Sequence, residues 1–225
     1  MACKLRWLLP FLLLGLVGCA ETQVKVQLTT AGDQAIQWKG DREIGVLPFL
    51  VDFNPDSLPV DATLTTFFTK ELSHYTPQPI TAYAIPCWEP VRRALISSGV
   101  PKDFRFAESD FFRTFLTGHP RLLLFTGKVL LSRAERSQMR EEKIDGDKIT
   151  TFKTVQAWEM RLVVDLLEGG SGRSVFSFDA IERREQEPPV DAARMTRSML
   201  DTLTDKLAHR LFSPGRQQER TLLLK

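Results

Sequence analysis

The residues that could do chemistry in this chain are widely dispersed. His74, His119 and His209 lie in separate predicted elements, without the H-x-x-H or H-E-x-x-H spacing of zinc sites. The segment 169–173, GGSGR, lacks the last glycine of a G-x-S-x-G nucleophile turn and lies in a predicted hairpin. A Gly-Lys pair at 127–128 lies inside a predicted strand and lacks the earlier glycine of a phosphate loop. We therefore predict no catalytic site, no metal site and no cofactor.

One enzymatic alternative stays open around the third predicted helix. Glu108, Asp110 and His119 are close in sequence, and a pocket that gathered them could support acid–base chemistry. The two carboxylates also suit a purely structural role, because acidic side chains at a helix start interact favourably with its dipole.

Cysteine chemistry points to the N-terminus. Lys4 and Arg6 precede an apolar run, Trp7 to Leu14, which is too short to span a bilayer and is typical of a secretory signal. The run is followed by the sequence LVGC at 16–19, which resembles the lipobox of bacterial lipoproteins. The resemblance implies cleavage before Cys19 and acylation of its thiol and amine, palmitate included. The alternative is an ordinary signal peptide with a chance cysteine.

Composition and the residue after the cysteine bear on location and partners. Ala20 replaces the aspartate that in enteric bacteria retains a lipoprotein at the inner membrane, so the resemblance implies the cell outer membrane, with the domain in the periplasm. Loss of residues 1–18 would remove two of the 30 basic residues and balance the 28 acidic ones, which gives no argument for nucleic acid. Cys87 would be the one remaining thiol, and we expect it to be buried beside Trp88.

Hydrophobic periodicity predicts a mixture of strands and helices. Along the strand 149–167 the even positions are apolar, so Phe152 and Trp158 should face the core, while Asp191 should cap the last helix. The predicted strands are 24–28, 44–51 (interrupted or ended by Pro48), 80–85, 122–131, 132–142, 149–167 and a last strand around 176–180, and the predicted helices are 60–74, 88–98, 108–116 and 190–212.

These elements predict an α+β fold: a mixed sheet with a long antiparallel meander, packed by helices on its faces. Residues 1–18 are the predicted lipoprotein signal peptide, and 19–22 the lipidated N-terminus and short tether. Residues 23–212 are predicted to form a single periplasmic domain, and 213–225 a flexible basic tail.

Three segments resemble a group of bacterial envelope lipoproteins. They are IGVLPF at 44–49, LLLFTGKVLL at 122–131 and LVVDLLEGGSGRSVFSF at 162–178. The group includes the curli-secretion lipoprotein CsgG, the penicillin-binding-protein activator LpoB, the polysaccharide-export lipoprotein PelC and the N-terminal domain of TolB. The resemblance covers about residues 43–212 and implies the group's fold and a role in envelope biogenesis.

Two surfaces are candidates for binding a partner. The first comprises Phe111, Phe112 and Phe115 of the third helix, for which core packing is the alternative. The second is a basic patch at the far end of the meander, for which a solvated face interleaved with glutamates is the alternative. Its members are Arg133, Arg136, Arg183 and Arg184.

The predicted function is that of an outer-membrane-anchored lipoprotein with a non-catalytic periplasmic domain. This domain would bind or scaffold another envelope component, either an unidentified envelope protein or a second copy of the chain. The alternative is an oligomeric component of a secretion or polysaccharide-export channel.

Overall fold

The computed structural model describes residues 22–29, 41–52, 58–144, 147–212 and 217–224. The chain divides into two compact units, residues 33–213 and residues 1–32 with 214–225. In chain order the strands are Thr22–Thr29 (β1), Glu43–Val46 (β2), Leu50–Val51 (β3), Ile80–Ala82 (β4), Leu122–Ile144 (β5), Asp147–Glu168 (β6), Ser174–Gln186 (β7) and Gln217–Leu224 (β8). The α-helices in this part of the chain are Val60–Thr66 (α1), Trp88–Ser97 (α2), Asp110–Thr117 (α3) and Ala192–Phe212 (α4).

A six-stranded mixed sheet organises the larger unit. Its order is β4-β2-β5-β6-β7, with β3 pairing on β5 beyond the end of β2. The pairs of β2 with β4 and of β5 with β2 and β3 are parallel, whereas β5, β6 and β7 form an antiparallel meander. The predicted α+β class, with its mixed sheet and long meander, is confirmed.

One face of the sheet packs against α1 and α4. On β6, Trp158, Met160 and Leu162 are at most 2% exposed and belong to this core. The facing stripe of α4 repeats at helical spacing, as the sequence predicts. Its buried apolar members are Met195, Met199, Leu200, Leu203, Leu207 and Leu211. Each fully buried leucine contributes about 1.5–3 kcal/mol relative to an exposed one.

The opposite face packs against α2, α3 and a 3-10 turn at Phe106–Glu108. Trp88 of α2 and Phe112 of α3 meet Phe106 of the turn in a cluster of edge-on rings. Leu122 and Leu124 of β5 belong to the same core. Since both faces of the central strands are covered, their sequences are continuous apolar runs rather than alternating ones.

Pro48 separates two strands that the sequence predicts as one. Pairing with β5 runs through β2 and resumes at β3, and proline cannot donate a ladder hydrogen bond between them. The neighbouring Phe49 packs across β5 over Gly127, where a Cβ atom would lie 2.2 Å from the phenylalanine ring. Glycine at 127 is therefore required for this crossing.

The predicted helix 60–74 is irregular in the structure. After α1 comes a π-helical turn, Phe67–Glu71, and then a 3-10 turn, Leu72–Tyr75. Phe67 and Phe68 are consecutive yet both buried, with ring centroids 5.6 Å apart. A π turn changes the angular spacing of side chains, which accompanies the burial of both rings.

Helix α4 begins directly after Asp191, the residue predicted to cap it. Asp191 Oδ1 accepts a hydrogen bond from the Arg194 N–H at 3.1 Å, which confirms the predicted N-cap.

The predicted strands 122–131 and 132–142 are one strand in the structure. The β5–β6 register runs unbroken from Leu123–Glu168 to Ile144–Asp147.

The smaller unit contains β1 and β8, which pair antiparallel from Thr22–Leu224 to Thr29–Gln217. The predicted strand 24–28 is thus part of β1. For 217–224 the structure differs from the predicted flexible tail, because a β-prone TLLL segment has a strand partner here. The signal peptide, the lipidated cysteine and the turns predicted between 30 and 40 lie outside the described residues.

Candidate interaction surfaces and a buried charge cluster

The three phenylalanines of α3 belong to the core rather than to an open surface. Phe112 is 0% exposed, and Phe111 and Phe115 are half-buried against the same cluster. The Phe115 ring stacks on His119 at 4.2 Å and meets Tyr83 edge-on at 6.1 Å. These positions agree with the packing alternative, and they leave little of the helix's aromatic surface for a partner.

The four arginines of the predicted basic patch lie on two different faces. The cross-strand register aligns Arg133, Trp158 and Arg184, whereas Arg136 and Arg183 alternate onto the opposite face. The guanidinium of Arg133 lies 5.1 Å from the Trp158 ring centroid, in cation–π geometry. The structure therefore does not bring the four side chains together.

Arg136, Arg183 and Arg184 have acidic partners, and Arg184 also joins β7 to α4. Arg136 pairs with Glu185 at 3.4 Å, and Arg183 pairs with Glu159 at 2.6 Å. Arg184 donates to Ser198 Oγ at 2.6 Å and to Thr202 Oγ1 at 2.8 Å on α4, and to Glu182 at 3.4 Å. Arg184 thus positions the helix, and the acidic partners neutralise much of the expected positive charge.

The carboxylates and histidine of the enzymatic alternative lie at opposite ends of α3. Asp110 begins the helix and pairs with Arg113 at 3.4 Å, whereas the His119 Nδ1 lies 2.8 Å from the Phe115 carbonyl beyond its C-terminus. The eight residues of α3 rise roughly 12 Å between them. This distance is too long for direct proton transfer between the Asp110 carboxylate and the His119 imidazole.

Cys87 differs from its prediction, since its side chain is exposed. Trp88 fills the core position instead, with 2% exposure. The cysteine is the residue before α2, whereas the tryptophan is the first residue of that helix and belongs to the core cluster.

Sequence reasoning missed a cluster of buried charges on the sheet face that carries α2 and α3. Lys128 of β5 is 1% exposed and Asp165 of β6 is 3% exposed. Lys128 Nζ donates to the carbonyls of Pro101 and Lys102, both at 2.8 Å. Ser177 Oγ donates to Asp165 Oδ1 at 2.7 Å. The available signal was a charged residue inside each of two apolar runs, LLLFTGKVLL and LVVDLLE.

A second layer of charges completes this cluster towards solvent. Asp179 of β7 accepts two hydrogen bonds from Arg161, at 2.8 and 2.5 Å, and pairs with Arg105 at 3.6 Å. Arg105 follows the loop whose carbonyls bind Lys128. The cluster therefore fastens residues 101–105 to the sheet at two points.

Burial dominates the electrostatics of the inner pair. It raises the pKa of Asp165, against the hydrogen bond from Ser177 and the charges of Arg105 and Lys128. It lowers the pKa of Lys128, with Arg105 and Arg161 acting in the same direction. The outer carboxyl behaves oppositely, because the hydrogen bonds from Arg161 lower the pKa of Asp179.

The far end of the β5–β6 hairpin extends beyond the rest of the sheet. Pairing between β6 and β7 ends at Gln156–Gln186, and beyond Arg136–Val155 eight further pairs, from Ser137–Thr154 to Ile144–Asp147, involve β5 and β6 alone. At about 3.4 Å per residue this two-stranded part, which we call the arm (residues 137–144 and 147–154), is roughly 27 Å long. Lys153–Glu187 and Gln138–Glu185 contacts tie its base to the end of β7.

The arm exposes an apolar pair. Met139 and Phe152 are opposite each other in the register and are 64% and 74% exposed. The sequence predicts Phe152 on the core face, which is wrong, because β7 and the helix layer end before this position. Strand edges and an exposed apolar pair on a mostly polar hairpin are features of a docking surface.

No helix among the described residues has both the length and the apolarity needed to cross a bilayer.

Comparison with known proteins identifies no matching family and no matching curated protein. Among solved structures, this chain is similar to a neuraminyllactose-binding hemagglutinin homolog from Helicobacter pylori, at 12% identity and TM-score 0.41 over 76% of this chain and 83% of that one. It is also similar to a PelC dodecamer from Paraburkholderia phytofirmans, at 11% identity and TM-score 0.35 over 86% of this chain and 99% of that one. A third similar structure is that of lipoprotein GNA1162 from Neisseria meningitidis, at 12% identity and TM-score 0.31 over 75% of this chain and 99% of that one. With TM-scores below 0.5, these likenesses carry no argument about the function of this chain.

Proposed function

We propose that this chain is an outer-membrane-anchored lipoprotein whose non-catalytic periplasmic domain binds or scaffolds another component of the cell envelope. The observation that carries the proposal is the N-terminal sequence. Two basic residues, a short apolar run and LVGC at 16–19 are the features that a lipid-attachment signal needs. Acyl chains on Cys19 would anchor the chain, each buried CH₂ contributing about 0.8 kcal/mol.

The arm supports the binding half of the proposal. It places Met139 and Phe152 on a hairpin whose outer edges have no strand partner among the described residues. Such edges can accept a strand from another chain, and the apolar pair can anchor it. The charges on the same strands protect the free chain from unspecific edge-to-edge aggregation.

Lipid attachment is tested in cells that express the full chain, with Cys19→Ala and Ala20→Asp as variants. We expect labelled palmitate on the parent chain and on Ala20→Asp, and none on Cys19→Ala. Membrane fractionation should place the parent in the outer membrane and Ala20→Asp in the inner membrane. An unlabelled parent chain released to the periplasm would contradict the proposal.

Binding is tested with a photo-crosslinking amino acid at position 152 of the full chain in native membranes. Val91, 40% exposed on α2, is the matched control position. We expect a discrete adduct from position 152 and none from position 91. An adduct with a second copy, together with a closed ring by native mass measurement, would favour the export-channel alternative. A strictly monomeric chain without adducts would contradict a scaffolding role.

A further inference from the structure

A groove lies between α1 and the middle of α4, on the face of the molecule away from the buried charge cluster. Its volume is about 470 Å³. Its floor is formed by Leu64, Phe67 and Leu200, which are also members of the core. Volumes of a few hundred Å³ with an apolar floor are typical of sites for small organic ligands.

The irregular end of the first helix shapes this groove. Phe67 and Glu71, the first and last residues of the π-helical turn, both line it. The turn directs the Phe67 ring to the floor and leaves the Glu71 carboxylate exposed at the rim. Single π turns are rare, and they occur frequently at functional sites.

Every charged residue that lines the groove is acidic. They are Glu71, Asp201 and Asp205. None of the three forms an ion pair with a described residue, whereas Glu182 on β7 pairs with Lys206 of α4 at 2.7 Å. Asp201 and Asp205 are one turn apart on α4, where like charges repel. The charged lining of the groove is therefore negative.

The arrangement of the acidic side chains argues against a metal ion as the ligand. No three His, Cys, Asp or Glu side chains in the described part of the chain are grouped closely enough to hold a metal ion. Separated carboxylates around an apolar floor suit a ligand with several positive charges on a flexible hydrocarbon chain. The hydroxyls of Thr63 and Thr66 add hydrogen-bond acceptors along the same wall.

We propose that this groove binds a linear aliphatic polyamine. Its ammonium groups pair with Glu71, Asp201 and Asp205, and its methylene segments lie on Leu64 and Phe67. Charge-assisted hydrogen bonds supply orientation, and the apolar floor distinguishes the ligand from a simple cation. This site is separate from the arm and does not depend on the proposed function.

The test is calorimetric titration of the full chain, extracted in mild detergent, with spermidine as the probe. We expect saturable one-site binding that Asp201→Asn with Asp205→Asn weakens about tenfold or more. The matched control, Asp52→Asn with Asp103→Asn, removes two exposed carboxylates outside the groove and should leave the affinity unchanged. Magnesium chloride and 1,8-octanediol, which have only the charge or only the chain, should give no saturable binding.

A groove-filling variant separates the site from general charge attraction. Thr66→Trp places a large side chain at an exposed lining position, and it should abolish spermidine binding while the circular dichroism spectrum stays unchanged. Equal weakening by the groove and control pairs would overturn the proposal. Non-saturable binding of spermidine, or a magnesium response of the same strength, would overturn it as well.

Discussion

The two halves of the β5–β6 hairpin are continuous in register but opposite in environment. In the packed half, residues 122–131 and 160–168, the strands lie between two helix layers, and even a lysine and an aspartate are buried. In the arm, the described side chains on both faces of the same two strands are exposed or half-buried, and even a phenylalanine is exposed. The difference shows that strand pairing determines register, whereas burial is decided by what covers the sheet.

The largest expected effect comes from removing an aromatic ring in the packed half. Phe125 is 0% exposed, with its ring centroid 4.8 Å from that of Phe68. Phe125→Ala should lower the free energy of unfolding by about 3–5 kcal/mol, because transfer energy is lost and a cavity is left. Urea unfolding measures this change. A loss below about 1 kcal/mol would show that the packed half is not as tightly enclosed as described.

Removing the buried lysine should have the next largest effect. Lys128→Met keeps most of the unbranched side chain but removes the ammonium group, so the Pro101 and Lys102 carbonyls and the Asp165 carboxyl lose their cation. We expect a loss of about 1–3 kcal/mol and faster amide hydrogen exchange in residues 101–105. Arg136→Met, an exposed cation of the same strand, is the control and should change neither quantity. A stabilised Lys128→Met variant with unchanged exchange would refute the fastening role.

The buried carboxyl predicts a pH dependence of a definite sign. The pKa of Asp165 is raised above 3.8 in the folded chain, so the folded state binds a proton more readily than the unfolded state. Its contribution to stability therefore rises as pH falls from neutral through the raised pKa towards 3.8. Asp165→Asn should remove this contribution, so the stability of the variant should change less between neutral and acidic pH than that of the parent.

Urea unfolding between pH 2 and pH 8 checks that sign, with Asp179→Asn for comparison. The pKa of Asp179 is lowered, so its contribution is present above 3.8 and is lost as pH falls through the lowered value. Parallel pH profiles for the parent and Asp165→Asn would show that the aspartate does not titrate as described.

The smallest effect on stability is expected in the arm. Phe152→Ala, at 74% exposure, should change the free energy of unfolding by no more than about 0.5 kcal/mol. The same substitution should remove the crosslinked adduct formed through a neighbouring probe at Met139. A destabilisation near that of Phe125→Ala would mean that the arm is packed in the folded chain.

Local patterns in the sequence were enough to predict most strands and helices and the class of the fold. Continuous apolar runs predict the central strands, and helical spacing from Met195 to Leu211 predicts α4 with Asp191 as its cap. The N-terminal signal predictions depend on residues outside the described ranges and stay predictions. Strands, helices and caps depend on residues that are neighbours along the chain, so periodicity and short motifs are enough to predict them.

Only the tertiary structure decided which side chains are buried and which groups meet. Alternation places Phe152 on the same face as Trp158, but β7 and α4 end before reaching it. The bond from Lys128 to loop carbonyls joins residues 26 and 27 positions apart, and the ion pair of Arg105 with Asp179 joins more distant ones. The groove needs α1 and α4, which are more than 100 residues apart in the chain. Such contacts follow from how the layers stack, and no local pattern records that stacking.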